Sequence, residues 1–169
     1  MKFLFNAITN FKTYSMKKIL FVFATFLFSA AAVAQGLNFN GSWKLNSEKS
    51  KLNAEFSFAP KEVIITQAGN DLTVEKHSSF QDQEFVTTDK LTLDGKECTN
   101  TGFQETQKKS TCTWSDDKAS LKIVSKMSIG DGDMTITEVY KMDGSNMVIE
   151  SSSSSSYGDM NETMVYDKH

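Results

Sequence analysis

The 169-residue chain contains no arginine, and this absence bears on the partners that it can bind. Arginine is the side chain best suited to bidentate contacts with phosphate groups. Removal of the leader described below would leave 14 lysines against 21 acidic residues, which gives a net charge of −7. Such a surface repels phosphate backbones and anionic membranes. Nucleic acid is therefore not an expected partner.

The patterns that mark enzymes and metal sites are also missing. Cys98 and Cys112 do not form a Cys-x-x-Cys motif, and His77 and the terminal His169 are the only histidines. The chain has no Ser-His-Asp order, nucleophile elbow, phosphate loop or metal-ligand spacing. Its carboxylates are too dispersed to assign as an acid and base pair. The sequence therefore predicts neither an enzyme nor a bound metal or cofactor.

Long apolar runs are absent apart from one near the N-terminus. Met16-Lys17-Lys18 precedes the apolar run Ile19–Ala34, which ends in Ala32-Val33-Ala34. A positive start, a short apolar centre and small residues at an A-x-A site are typical of a secretory signal peptide. The run is short for a bilayer span, which needs about 20 apolar residues. We expect a signal peptide at 1–34. Residues 1–15 are either a long n-region or a stretch upstream of the true translation start. One secreted or periplasmic domain without an integral membrane segment is expected at 35–169.

From Lys61 onward, apolar and polar residues alternate in short segments, and no helical pattern of any length is present. Alternation with a period of two is typical of strands that have one buried face. Gly69-Asn70, Asp94-Gly95 and Gly144-Ser145 suit two-residue hairpin loops, because Gly, Asn and Asp tolerate a positive φ angle. Looser turns fit at Asp82-Gln83, near Glu105, at Asp117-Lys118, at Asp131-Gly132 and at Tyr157-Gly158.

Each turn implies a register, because residues equidistant from its centre face each other. Starting at Val74 and stepping across successive turns selects nine positions that are all apolar, aromatic or cysteine. These positions are Ile65, Val74, Leu91, Cys98, Cys112, Ile123, Tyr140, Ile149 and Tyr166. The residues between them are mainly polar, so the pattern predicts one apolar and one polar face on every strand.

The run Ser151–Ser156 has the composition of a flexible linker. Its alternate members nevertheless fall in register between the strands on either side. We interpret the run as a strand of small residues that leaves space inside the sheet, and a disordered tether is the alternative.

A sheet with one apolar face must cover that face. Closing the sheet on itself does so and also removes the exposed edges that invite aggregation. The outer face is too charged for contact with lipid, which excludes an outer-membrane barrel. Every visible connection is a hairpin between neighbours, which favours a barrel over a two-sheet sandwich. We therefore predict an all-β fold, an antiparallel up-and-down meander barrel of about 8–10 strands.

The triplet Gly41-Ser42-Trp43 stands at the start of this strand pattern. A Gly-x-Trp triplet in this place resembles the first strand of the lipocalins. The resemblance implies a lipocalin-like (calycin-type) secreted bacterial β-barrel protein. In such a barrel the tryptophan plugs the closed end and a large first loop, here Ser47–Pro60, crosses the mouth.

The hairpin turns place Trp43 beside Leu72, Trp114 and Met147, so we expect Gly41, Trp43 and Trp114 to form the structural plug. The lipocalins usually lay an arginine over this tryptophan. In this chain only a lysine is available, and Lys168 is the nearest candidate. A guanidinium stacks on an aromatic face better than an ammonium does.

Cys98 and Cys112 fall directly opposite each other across the hairpin centred near Glu105. An exported chain meets oxidising conditions, so the sequence predicts a disulfide between them. Closing a loop of about 15 residues would stabilise the fold by roughly 3 kcal/mol.

One step from the apolar layer toward the mouth, the same register places polar side chains on the inward face of seven adjacent strands. The layer comprises Val63, Lys76, Asp89, Asn100, Ser110, Ser125, Glu138, Ser151 and Met164, with Met127 and Ile136 among the residues above it. In this register Lys76 faces Asp89, and Glu138 faces both Ser125 and Ser151. Buried charges are costly unless they are paired and hydrogen-bonded.

Two interpretations of this layer remain open. In the first, it is the floor of a wet cavity, whose polar groups orient the head of a ligand while apolar residues above contact the rest. The candidate ligand-contacting residues are then Lys76, Asp89, Ser125, Glu138, Ser151, Met127 and Ile136. In the second, the layer is a self-satisfied network with an ion pair between Lys76 and Asp89. An error in register would point several of these residues outward, and barrel shear would turn the layer into a spiral.

These observations lead to two main hypotheses of function. The first is an exported lipocalin-like binding protein that holds a small hydrophobic or amphipathic molecule without catalysis. The second is a protein-interaction or inhibitor module with a solidly packed barrel, working through loops such as Ser47–Pro60, where Phe56 and Phe58 lie near Lys51. An enzyme on the same barrel is a third, for which the chain offers no nucleophile or metal site. A cavity of several hundred Å³ open to solvent would favour the first.

Overall fold

Ten antiparallel strands make up most of the chain that the computed structural model describes, which is residues 36–169 without 55, 81–82, 103–104 and 131. The strands are β1 (Gly41–Leu45), β2 (Glu62–Ala68), β3 (Asp71–Phe80), β4 (Gln83–Thr92), β5 (Cys98–Thr101), β6 (Gln107–Trp114), β7 (Ser120–Ile129), β8 (Gly132–Asp143), β9 (Asn146–Ser155) and β10 (Gly158–Lys168). Five of the six serines, Ser151 to Ser155, therefore lie in a strand, as their alternation predicts, and Ser156 lies in the turn that follows. The predicted signal peptide at 1–34 lies outside the described residues.

The sheet runs β4-β3-β2-β1-β10-β9-β8-β7-β6-β5, so the first strand joins the last. No ladder connects β4 to β5 in the described part of the chain. The side chain of Asn100 bridges this seam instead: its Oδ1 accepts the backbone N–H of Lys90 at 2.8 Å and its Nδ2 donates to the Lys90 carbonyl at 3.1 Å. The fold is an antiparallel up-and-down barrel that is nearly closed, which confirms the predicted fold class. Within the described residues, the structure contains no helix of the length and apolarity needed to span a membrane.

Alternation along the strands places the core inside one half of the barrel. Eight of the nine positions selected by the turns are buried, and Cys98 is partly exposed. The buried apolar cluster comprises Phe39, Trp43, Val63, Ile65, Leu72, Val74, Leu91, Cys112, Leu121, Ile123, Tyr140, Met147, Ile149, Met164 and Tyr166. Its members come from both sides of the barrel, so the closed half is filled by apolar side chains.

The strand registers agree with the prediction at three turns of the closed end and differ at the mouth. At the fourth closed-end turn, Asp94-Gly95, the predicted pairing of Leu91 with Cys98 is wrong, because β4 and β5 form no ladder in the described residues. The hairpins at Gly69-Asn70, Asp117-Lys118 and Gly144-Ser145 have the predicted pairing. The four hairpins at the mouth are each displaced by two residues. The observed pairs are Val74 with Asp89, Cys98 with Ser110, Ile123 with Glu138 and Ile149 with Met164, where the prediction gave Leu91, Cys112, Tyr140 and Tyr166 as the respective partners.

A displacement of two residues leaves every side chain on its predicted face, because the side-chain period of a strand is two. The inward set is therefore right while the cross-strand partners are wrong. The physical reason is the place of the turn, because the register across a hairpin follows its turn. Phe80 pairs with Gln83, Ile129 with Gly132 and Ser155 with Gly158, so these hairpins turn one residue earlier than predicted.

Trp43 lies at the centre of the closed end and is 1% exposed. Its Nε1 donates a hydrogen bond to the carbonyl of Phe39 at 2.8 Å, and the Phe39 ring stacks on Trp114 with centroids 6.1 Å apart. The Nζ of Lys168 lies 5.4 Å from the centre of the Trp43 ring. Gly41 has a φ angle of +134°, and a Cβ there would approach the Lys168 side chain to 3.2 Å. Glycine thus permits both the backbone turn and the lysine placement.

The predicted cross-strand pairing of the two cysteines is wrong. Cys98 faces Ser110, and both thiols are free in the structure. The cause is the two-residue displacement of the hairpin between β5 and β6, which moves Cys112 one inward position away from Cys98. Cys112 is buried, and this burial, with a smaller contribution from Cys98, raises the pKa of its thiol to about 12.

We therefore expect the two thiols to react at very different rates in the folded protein. A maleimide at neutral pH should label the partly exposed Cys98, whereas Cys112 should react only after unfolding, because a buried thiol with a raised pKa is a poor nucleophile. Mass spectrometry before and after denaturation checks this, and a Cys98→Ala variant should lose the early reaction. A chain lighter by the mass of two hydrogens under non-reducing conditions would contradict it.

Candidate functional site

All seven predicted ligand-contacting residues lie on inward-facing positions in the half of the barrel above the core. They are buried or partly buried: Asp89, Ser125, Glu138 and Met127 are less than a tenth exposed, and Lys76, Ser151 and Ile136 are partly exposed. The alternation along each strand continues from the apolar core, so these side chains enter the same interior. Their mutual contacts differ from those that the sequence predicts.

Lys76 on β3 pairs with Glu138 on β8. The Nζ of Lys76 lies 2.5 Å and 2.6 Å from the two carboxylate oxygens, and both side chains are largely buried. Four strands separate β3 from β8 in either direction around the barrel, so this ion pair spans the interior. The expectation that Lys76 faces Asp89 is wrong, because Thr87 occupies that position in the displaced register.

Asp89 on β4 pairs with Lys108 on β6. The Nζ of Lys108 lies 2.6 Å from Oδ1 and 2.7 Å from Oδ2, and the contact to Oδ2 has hydrogen-bond geometry whereas that to Oδ1 is electrostatic. The ion pair lies on the inner side of β5. It therefore connects β4 to β6 across the seam that lacks a ladder. The sequence interpretation missed Lys108. It stands two residues before Ser110, so the same alternation would have placed it inward.

Serines occupy the space between these ion pairs. Ser110 and Ser125 are hydrogen-bonded through their hydroxyls at 2.8 Å. Ser125 faces Ile136 and not Glu138, which corrects the predicted contact. Ser151 does face Glu138, as predicted. These small side chains fill less volume than the apolar residues of the closed half.

Glu162 on β10 is a further buried carboxylate, 6% exposed, on the other side of Ser151 from Glu138. One of its oxygens accepts the backbone N–H of Asn53 at 2.9 Å. Near it, Lys51 and Thr163 exchange backbone hydrogen bonds of 2.7 Å and 2.9 Å. Glu162 therefore helps to hold the first loop against the barrel at the mouth.

Two buried tyrosines line the boundary between the core and the polar interior. The hydroxyl of Tyr140 donates to Glu138 at 3.3 Å, and that of Tyr166 donates to the carbonyl of Pro60 at 3.1 Å. Burial raises the pKa of both phenols, and the negative charge of Glu138 raises both further. Both tyrosines are therefore neutral hydrogen-bond donors that lie near buried carboxylates.

Two open grooves lie on the outside and at the rim, away from most of the predicted residues. One, of about 460 Å³, covers the seam of β4, β5 and β6 and is lined by threonines, Lys90 and Asn100. The other, of about 610 Å³, lies over β6, β7 and β8 and includes Met127. In the described part of the chain, no three His, Cys, Asp or Glu residues are placed to share a metal ion.

No protein-family model and no curated protein matches this chain, but solved structures share its fold. Zebrafish ileal bile acid-binding protein complexed with cholic acid aligns with a TM-score of 0.52 at 18% identity, over 78% of this chain and 98% of that one. A secretory abundant heat soluble protein from Ramazzottius varieornatus aligns with a TM-score of 0.54 at 18% identity, over 80% and 98%. At such identities the likeness shows the fold alone, and it confirms the predicted antiparallel up-and-down barrel.

Proposed function

We propose that this protein is an exported binding protein that holds a small, partly apolar molecule inside the barrel and does not transform it. Export, to the periplasm or to the medium of a bacterial cell, rests on the signal-like segment at 1–34. The absence of a nucleophile or metal pattern in the sequence favours binding over catalysis.

The observation that carries this proposal is the division of the barrel interior by depth. Apolar side chains fill the closed half, whereas buried positions toward the mouth carry serines such as Ser110, Ser125 and Ser153 together with two ion pairs. Buried ion pairs stabilise a fold less well than apolar packing of the same volume does. A few converging polar groups beside apolar surface are instead the usual form of a ligand site.

The fold comparison supports this proposal without deciding it. One structural neighbour is named as a bile acid-binding protein and was solved with cholic acid, which is consistent with an apolar or amphipathic ligand here. The other is named for its solubility on heating. The same barrel thus serves different roles, and the function must be tested on the site itself.

Adjacent serines on β9 provide a matched test. Ser153 faces inward between Ile136 and Met160 and is 8% exposed, whereas Ser154 faces outward. We expect the wild-type protein to bind the neutral fluorescent probe Nile red at about one molecule per chain. Ser153→Phe should weaken binding at least about tenfold because the ring occupies the interior, and Ser154→Phe should bind as the wild type does.

The stability of the same variants separates an open interior from a filled one. In an open interior, Ser153→Phe changes the free energy of unfolding little, whereas overpacking a filled interior would cost about 1–3 kcal/mol. Equal binding of Nile red to both variants would place the probe on the surface and refute the proposal. Absence of binding to the wild type would also refute it, and a destabilised Ser153→Phe would then show that the interior is filled.

That last result would favour a second function, which is interaction with another protein through the first loop. The observation behind it is the pair Phe56 and Phe58, which are 43% and 44% exposed and pack edge to face with centroids 4.1 Å apart. Exposed, clustered aromatic rings are enriched at protein interfaces. In that case Phe56→Ala would weaken binding of the partner protein to the first loop while leaving the fold unchanged.

A further inference from the structure

We propose that the barrel interior selects amphiphiles with a cationic head, such as a protonated alkylamine, over carboxylates of the same chain length. This inference rests on the proposed function, because it concerns the charge of the molecule held inside. It follows from the balance and the pairing of the charged side chains that face inward.

The described inward positions above the core carry more negative than positive charge. The inward charged residues are Lys76, Asp89, Lys108, Glu138 and Glu162. Three carboxylates therefore face two ammonium groups, which leaves one negative charge in excess. Lys168 does not alter this balance, because it lies over Trp43 at the opposite, closed end.

Both inward lysines are already engaged by carboxylates. Lys76 lies 2.5 Å from Glu138 and Lys108 lies 2.6 Å from Asp89. The chain contains no arginine that could bind a further carboxylate in bidentate fashion. A carboxylate ligand would have to displace Glu138 from Lys76 or Asp89 from Lys108. The displaced protein carboxylate would then be buried without a counter-ion.

Glu162 is the inward carboxylate without a lysine among the described residues. It is 6% exposed, and its one hydrogen bond there comes from the backbone N–H of Asn53, which carries no formal charge. It flanks Ser151 on one side, and Glu138 flanks Ser151 on the other. Ser151 has a small side chain, and an ammonium group beside it would make charge-assisted hydrogen bonds to Glu162.

The charge of Glu162 and the engagement of both inward lysines both favour a cationic ligand. An ammonium head gains a counter-ion at Glu162, whereas a carboxylate head meets net negative charge in a site with reduced screening. Selectivity of this kind is a difference of affinities that contains a repulsive element against the disfavoured ligand. The apolar tail contributes equally to both ligands when its length is the same.

The test is competition for bound Nile red at neutral pH, where dodecylamine is protonated and dodecanoate is ionised. Dodecanol, which is uncharged, provides the reference, and all three are used below their micellar concentrations. We expect dodecylamine to displace the probe at a concentration at least about tenfold lower than dodecanoate. The preference should persist at about 0.5 M salt, which screens the charges of the outer surface but not those of the interior.

A pair of charge-matched variants locates the effect. Glu162→Gln removes the inward charge and should reduce the ratio of the two affinities, whereas Glu150→Gln removes an outward charge and should leave the ratio unchanged. Displacement by dodecanoate as effective as that by dodecylamine would overturn the inference while the proposed function stands. A preference that disappears in salt would overturn it as well, and this measurement needs no variant to fold. Failure of the wild type to bind Nile red would instead remove the proposed function, and the inference with it.

Discussion

Replacement of Trp43 by alanine is expected to lower the free energy of unfolding by about 3–5 kcal/mol. Trp43 is 1% exposed, and its ring lies in the cluster that fills the closed half. Its loss leaves a large cavity and removes the hydrogen bond to the carbonyl of Phe39. The buried carbonyl would then be without a partner, which adds to the cost of the lost packing.

Urea unfolding followed by circular dichroism measures this change. The slope of the free energy of unfolding against urea concentration should be the same for variant and wild type if unfolding is two-state. Tyr157→Ala is the matched control, because it also truncates an aromatic ring but at a site that is 79% exposed. The control should change the free energy of unfolding by no more than about 0.5 kcal/mol. Similar effects of the two substitutions would contradict the assignment of Trp43 as the plug of the closed end.

Lys108→Met should destabilise the protein by about 3–5 kcal/mol near neutral pH, since it leaves Asp89 charged and buried without its counter-ion. Methionine keeps most of the length of the lysine stem, so packing changes little.

The double variant Asp89→Leu with Lys108→Met separates the cost of a lone charge from the loss of an interaction. Removing both charges should restore much of the stability, because a buried ion pair contributes little more than apolar groups of similar size. Lys141→Met provides the control on the outer surface, where Lys141 pairs with Glu150 at 2.8 Å and about half of each side chain is exposed. That change should cost less than about 1 kcal/mol. A loss for Lys108→Met as small as for Lys141→Met would show that the inner pair is hydrated.

The sequence predicted the inward positions of the candidate site but not most of the contacts between them. The inward positions of Lys76, Asp89 and Glu138 follow from alternation along single strands, and each is inward in the structure. Their pairing depends on the register of the hairpins at the mouth, whose turns lie one residue earlier than predicted. Lys76 therefore meets Glu138 on the far side of the barrel and not Asp89 on the neighbouring strand.

Two residues were missed for different reasons. Lys108 carries the same alternation signal as Ser110 and could have been assigned inward from the sequence. Phe39 offered no such signal, because it precedes the first strand and follows no periodic pattern. Its place between Trp114 and Tyr140 is set by the segment that runs across the closed end.

The sequence by itself determined which face of each strand is buried, three of the hairpin turns and which end of the barrel is closed. These features depend on spacing along one strand or across one tight turn, and such distances are short and local. Only the tertiary structure decided the stagger of the strands, the two cysteine environments and the ion pairs inside the barrel. Those features depend on closure, which brings together strands that are far apart in the sequence at distances that no single strand encodes.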